Sequence, residues 1–197
     1  MYNEHCSEWR NLMNTVVTSK EEILKKSREL IREKGIRHMN IRAVASFCGV
    51  SVGSVYNYFD SKAELLGAVI KSVWQDIFHF PEGEDMFCDT LTCISWIYER
   101  MEYGSKLYPD FFTYHSVGFL QDEIAGGKKL MQKTWQHILD SLQSVLCRDK
   151  KIRKDAFDEK FTSEKFADML FSLMIAAMTR RDYDPSPLLT MVTRSLY

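Results

Sequence analysis

Between Asn40 and Leu65 the chain reads Asn-Ile-Arg-Ala-Val-Ala-Ser-Phe-Cys-Gly-Val-Ser-Val-Gly-Ser-Val-Tyr-Asn-Tyr-Phe-Asp-Ser-Lys-Ala-Glu-Leu, and this run concentrates the side chains suited to recognition chemistry. Its apolar members Ile41, Val44, Ala45, Val50, Val55 and Phe59 fit one small shared core. That leaves Arg42, Ser51, Gly53, Ser54, Tyr56, Asn57 and Tyr58 to face outwards. A short exposed helix of small, polar and phenolic side chains suits the base edges of a DNA major groove. Lys62, beside the free N–H groups of a helix N-terminus, suits a phosphate. Enzyme chemistry needs a convergent acid, base or nucleophile set, and none is visible, so no catalytic residue is assigned. No His, Cys and Asp cluster has metal-ligand spacing, and neither a metal nor a cofactor is expected.

These groups need helices to hold them. Ser19-Lys-Glu-Glu22 is a capping box, after which Ile23, Ser27, Leu30, Ile31 and Lys34 follow at helical spacing until Gly35. Asn40 caps a second helix and Ser51 a third. Gly49 falls where the second helix must stop and reverse, a position that favours φ > 0. Ala45, four residues earlier, leaves room for two helices to cross closely. Ser61-Lys-Ala-Glu64 repeats the capping box and opens a fourth helix through about Phe78, along which Leu65, Val69, Val73 and Ile77 recur. Pro81-Glu-Gly-Glu-Asp85 is the clearest break in the chain.

Taken together, Ala45, Gly49, Val50, Ser51, then Gly53-Ser54-Val55-Tyr56, then Tyr58-Phe59, then Ser61-Lys62 with Glu64-Leu65 resemble the TetR family of bacterial transcriptional regulators. The resemblance covers about 45 residues, from the helix near Ser19 to the helix near Ser61, in order and without gaps. The remaining two thirds match only in length and helical texture. The resemblance implies an all-α fold: an N-terminal three-helix helix-turn-helix DNA-binding domain followed by a helical ligand-binding and dimerisation domain. The corresponding segments are an N-terminal arm over 1–18, the DNA-binding domain over 19–66 and the effector and dimerisation domain over 67–197. The fourth helix is shared, so the boundary falls within it, between about Gly67 and Phe80.

In the family the third helix enters the major groove while the second helix and the start of the fourth clasp the backbone. Carried over, Ser51, Val52, Gly53, Ser54, Asn57 and Tyr58 lie at the groove or its phosphate edges. Val52 is placed to touch a thymine methyl, and Asn57 offers a paired donor and acceptor to a base. Tyr56 and Tyr58 are read as phosphate binders, Tyr56 alternatively as core with only its hydroxyl exposed. Arg42 reaches a base or a phosphate. Asn40 stands where the family often has Thr and is counted with the DNA-facing set. The resemblance further implies a homodimer on a palindromic double-stranded operator, its two reading helices about 34–36 Å apart in successive grooves. Control is then that of a repressor released by a small-molecule effector. A small-molecule-binding protein or an activator on the same fold is the alternative.

Composition agrees with a globular chain. Hydrophobic residues make up 45% and charged ones 27%, ample material for a core. The net charge of −1 conceals an asymmetry. Residues 19–62 hold nine Lys and Arg against five Asp and Glu, so the rest of the chain carries the balance of negative charge. One weakly basic end on a weakly acidic body suits a molecule that presents that end alone to phosphate. No run of 18 apolar residues exists and the N-terminus lacks the apolar stretch of a signal peptide, so no membrane partner and a cytoplasmic location are expected. Cys6, Cys48, Cys88, Cys93 and Cys147 form an odd set without a CxxC pair and are read as buried small hydrophobes.

The remainder is helical in pattern. Met86 to Lys106 carries Leu91, Ile94, Ile97 and Met101; a shorter aromatic helix after Pro109 ends near Gly118; Gly126-Gly127 marks a kink, a helix start or a mobile segment. Met131, Trp135, Ile138, Leu142 and Val145 make one stripe, and Phe166, Leu170, Leu173 and Ala177 another. The helices near 128–147 and 162–180 are the expected dimer surface, a four-helix bundle across the two-fold axis, with part of each stripe facing the monomer core. Aromatic side chains crowd the middle of the chain. Trp96, Met101, Tyr108, Phe111, Phe112, His115, Phe119 and Trp135 are the candidate effector contacts, an adaptable lining for an apolar or aromatic ligand. Residues of these types at helical spacing equally describe ordinary core.

Overall fold

The computed structural model describes residues 18–79, 87, 89–113 and 125–197, with residues 125–135 and 137 described by their backbone alone. The arm over 1–17, the Pro81–Asp85 break and the end near Gly118 lie outside the described residues. Within them the named elements are all helical: α1 (Lys20–Lys34), a 3₁₀ turn (Ile36–His38), α2 (Ile41–Cys48), α3 (Val52–Tyr56), α4 (Lys62–Ile77), α5 (Thr90–Leu107), α6 (Ala125–Arg148), α7 (Ser163–Arg180) and α8 (Ser186–Leu196).

Local chemistry accounts for the helix starts. Side chains of Ser19, Asn40, Ser51, Ser61, Asp89 and Thr162 each accept a hydrogen bond from a backbone N–H in the first turn that follows, supplying a partner that the helix cannot. Glu64 Oε2 also reaches back past the Ser61 cap, accepting from the Asp60 N–H one residue earlier at 2.6 Å. Gly49 takes φ 69° and ψ 27°, and the N–H of Val50 then reaches back to the Ala45 carbonyl at 3.0 Å. An L side chain there would be strained in the left-handed region.

Packing follows the periodicity. In α1, Ile23, Ser27, Leu30 and Ile31 are buried, and Ser27 satisfies its hydroxyl on the Ile23 carbonyl at 2.8 Å. Val44 and Ala45 of α2, Val55 of α3 and Phe59 meet this face as one core. The expected stripe of α4 is buried throughout: Leu65, Val69, Val73 and Ile77 expose 1% or less. Helix α4 packs on α1 along one side and on α5 and α6 along another, so the reading end and the body share it. The α4–α5 crossing is close. A Cβ on Gly104 would lie 2.9 Å from both Cγ2 and Cδ1 of Ile77.

Several details depart from expectation. Helix α5 begins at Thr90, where Asp89 caps it, four residues later than the pattern at Met86 suggests. Helix α6 starts at Ala125, so the two glycines occupy its first turn. In α7, Phe166, Leu170, Met174 and Ala177 are buried, but Leu173 points out at 39% exposure beside Met169 at 47%. The sequence stripe had joined residues from opposite faces, because α7 is apolar on both. Tyr56 is not core: it is 45% exposed. Of the cysteines, Cys93 is buried, with its thiol pushed up to about 12 by burial, Cys48 is half-buried and Cys147 is exposed. Cys6 and Cys88 lie outside the described residues. No described helix is long and apolar enough to cross a membrane.

One buried carboxylate helps to hold the end of the C-terminal helix, beside Arg153, which donates to the Ser195 and Leu196 carbonyls. Asp149 Oδ2 accepts from the Thr90 N–H at 2.8 Å and from the Tyr197 hydroxyl, while Oδ1 accepts from the Lys151 N–H at 3.0 Å. Burial alone would raise the Asp149 pKa, but these donors outweigh it and hold it below the usual carboxylate value. A depressed folded pKa gives stability that is present above the unfolded value near 3.8 and is lost as pH falls through the folded one. Asp149→Asn should therefore cost about 1–3 kcal/mol at neutral pH by urea titration, and the gap to the unsubstituted chain should narrow as pH falls below the ordinary carboxylate value near 3.8. Gly104→Ala should cost about 1–3 kcal/mol by the same measurement, since Ile77 has to move.

Candidate nucleic-acid interface

The surface around α3 is built by subtraction. Once Val55 and Phe59 are driven into the core with no exposed surface, the other side chains of the 51–58 segment have only the outside left. Ser51, Gly53, Tyr56, Asn57 and Tyr58 are exposed, and Val52 and Ser54 are half-buried. Arg42 and Asn40 are exposed at the start of α2, and Lys62 is exposed in the first turn of α4. The structure thus brings all ten sequence-selected residues to the two helix starts and the short helix between them.

Several of these groups already have partners. Asn40 uses both ends of its amide: Oδ1 accepts from the Ala43 N–H at 3.0 Å and Nδ2 donates to the His38 carbonyl at 3.2 Å. Ser51 Oγ accepts from the Ser54 N–H at 3.0 Å and lies 2.8 Å from Ser54 Oγ. These three therefore hold backbone in place before they touch anything else. Tyr58, 36% exposed, donates its hydroxyl to the Thr18 carbonyl. That bond ties Thr18, next to the α1 cap, to the end of the reading segment across 40 residues, a separation no local pattern can signal. Lys20 sits over the Phe59 ring at 4.9 Å and pairs loosely with Glu64 at 3.6 Å. Arg42, Asn57 and Lys62 have no such anchoring in the described contacts and project as cations and an amide.

The candidate effector residues gather elsewhere, around the last turns of α4. Met101, Tyr108, Phe111 and Phe112 are buried and Trp96 is half-buried. His115 and Phe119 lie outside the described residues, as does the side chain of Trp135. The rings meet Trp74 of α4 and Phe78, the residue that caps its end, neither selected from sequence. Trp74 stacks on Phe78 at 5.6 Å and lies 5.6 Å from Phe111 and 5.5 Å from Phe112. Phe78 meets Trp96 at 6.0 Å, and Trp96 meets Phe87 at 5.3 Å. Trp74 and Phe78 each follow a stripe residue, Val73 and Ile77, by one position. That offset, repeated after four residues, is the signal for a second apolar face on α4. The Tyr108 hydroxyl is engaged by Asp76 and Arg32 at 2.7 and 2.9 Å. Among the described residues no cluster of His, Cys, Asp and Glu is placed to hold a metal.

Comparison with known proteins bears on both regions. A family profile described as bacterial regulatory proteins, tetR family, matches residues 23–69. The HTH-type transcriptional repressor KstR2 of Rhodococcus jostii is 32% identical over 57 residues, 29% of this chain and 28% of that repressor, so the match spans well under half of that protein. Over the whole fold, a putative TetR transcriptional regulator from Streptomyces avermitilis superposes with a TM-score of 0.64 at 20% identity, covering 90% of this chain and 98% of the other. The transcriptional regulator FadR from Bacillus subtilis, in complex with stearoyl-CoA, superposes with a TM-score of 0.59 at 16% identity, covering 89% and 96%. At those identities the likeness is one of fold.

Proposed function

We propose that this chain is a ligand-responsive repressor of the TetR family of bacterial transcriptional regulators, whose profile matches residues 23–69, and that it binds a palindromic operator as a homodimer. The observation that supports this most is α3 itself. It is a five-residue helix whose only buried residue is Val55, held at a fixed angle by the Gly49 turn and offering small side chains outwards. Gly53 weakens such a helix by about 1 kcal/mol relative to Ala, yet a Cβ there would meet nothing in the chain closer than Ser51 Oγ at 3.7 Å. Internal packing does not require that glycine. Close approach of an outside surface does.

On this reading Arg42, Val52, Gly53 and Asn57 face bases or the groove, Lys62, Tyr56 and Tyr58 face phosphates, and Asn40, Ser51 and Ser54 set the backbone that carries them. Residues 19–66 form the reading domain, 67–197 the sensing and dimerising domain, and 1–18 an arm leading into Thr18. The dimer forms through α6 and α7, whose outer faces carry Met169, Leu173 and Cys147 without cover. Two such helices from each partner make a four-helix bundle. The effector is apolar or aromatic and sits among the aromatic side chains near the end of α4. The stearoyl-CoA bound by the fold-related FadR supports a lipophilic class. Its binding swings α4 and moves the two reading helices off groove spacing, with a coupling on the order of 1–3 kcal/mol. The cytoplasm is the compartment this function requires.

Selection from a pool of random duplexes about 30 bp long tests the reading, since that length holds two half-sites one helical turn apart. The recovered sequences should be palindromic. Lys62→Ala should weaken every duplex alike and lower the salt slope by about one, whereas Asn57→Ala should relax preference at one position per half-site by about 1–3 kcal/mol. If the purified chain stays monomeric and retains no duplex at low ionic strength, the regulator reading is lost and a small-molecule-binding role takes its place.

A further inference from the structure

Two arginine rungs tie α1 to α4. Arg28 Nη1 donates to Ser72 Oγ at 3.1 Å, and Arg32 Nη2 donates to Asp76 Oδ2 at 2.7 Å. Both rungs span 44 residues and lie one turn apart on each helix, so the two helices run in the same sense in one register. The second rung has a third member from a different element. Tyr108, just past the end of α5, donates its hydroxyl to Asp76 Oδ2 at 2.7 Å and accepts from Arg32 Nη2 at 2.9 Å. The Arg32 guanidinium also lies 5.0 Å from the centre of its ring. Tyr108 has no exposed surface, whereas Arg32 and Asp76 are each about one third exposed. The phenol thus closes the dry side of an ion pair that water otherwise screens.

The surroundings tie this junction to α5 on one side and to the aromatic cluster on the other. Arg100 of α5 donates to the Asp76 carbonyl at 3.3 Å and to the Ile77 carbonyl, capping the last turn of α4. Gly104, one turn before Tyr108, is the point of closest approach to Ile77. After Tyr108 the chain turns through Pro109 and Asp110, the latter at φ 62°, and delivers Phe111 and Phe112 to Trp74. One short turn therefore joins the aromatic cluster to the only hydroxyl that bridges α1 and α4 in the described contacts at this rung.

We propose that Tyr108, rather than lining the effector site, is a positioning residue for DNA recognition: its hydroxyl, held in the Arg32–Asp76 pair, sets the angle of α1 on α4 and with it the angle at which the reading helix is presented. This deepens the regulator reading and rests on it for the DNA part alone. The geometric part, that the hydroxyl stiffens the α1–α4 junction, stands without DNA. A loosened junction leaves each reading helix intact, so it spares binding to one half-site and weakens the joint engagement of two.

Tyr108→Phe tests this, because it removes the hydroxyl and keeps the ring. Three readouts are taken: affinity for the selected palindrome, affinity for a duplex carrying one half-site, and amide hydrogen exchange without DNA. The palindrome should be bound about tenfold more weakly, the order expected for losing a hydrogen bond to a charged group, with half-site affinity unchanged. Exchange should quicken in 28–34 and 74–78 and stay the same in α8. Asp76→Asn should reproduce this, and the double variant should be no worse than either alone. Equal weakening on both duplexes, unchanged exchange in α1 and α4, or additive losses would overturn the assignment. Should the unsubstituted chain select no duplex at all, the regulator reading falls, and exchange alone decides whether Tyr108 stiffens the junction.

Discussion

The burial of α4 on more than one face is the constraint from which the other placements follow. Leu65, Val69, Val73 and Ile77 are withdrawn from water completely or nearly so, and Trp74 with Phe78 gives the helix a further apolar side that gathers the rings of Trp96, Phe111 and Phe112. Burying such side chains contributes about 1.5–3 kcal/mol each. A helix with that much surface committed to different neighbours cannot turn without disturbing all of them. Its N-terminal turn carries Lys62 beside the reading helix and its C-terminal turn carries Asp76 beside Tyr108, so one rigid rod spans the two regions where binding is proposed.

The reading surface depends on this rod in an indirect way. Five residues are too few for α3 to persist alone, since an isolated helix that short does not survive in water. It exists because Val55 and Phe59 are buried against α1 and α2 and because Ser51 and Asn40 supply the caps. Those residues spend their polar atoms on backbone. Arg42, Asn57 and Lys62 do not. A division of labour results between side chains that shape the helix and side chains left to meet a partner.

Much of the reading end was legible in the sequence for a physical reason: its structure is local. Caps act over three residues, the Gly49 reversal over five, and the apolar face over one helical period, so Ser19, Asn40, Ser51 and Ser61 announced the helix starts correctly. The body was less legible. In α7 the apolar residues occupy both faces, and periodicity alone grouped Leu173 with Phe166 and Leu170 although it points the other way. On α4 the more conspicuous stripe hid Trp74 and Phe78.

Residue order alone determined that the chain is helical, where its N-terminal helices begin, and that a short polar helix follows a glycine reversal. Those outcomes depend on hydrogen bonds and periodicities within a few positions. Tertiary structure decided which groups separated by 40 or more residues share hydrogen bonds: Tyr58 with the Thr18 carbonyl, Arg28 with Ser72, Arg32 with Asp76 and Tyr108, Asp149 with Tyr197. Partners at such distances are selected by how packed helices align, and that alignment depends on the shapes of all the buried side chains together.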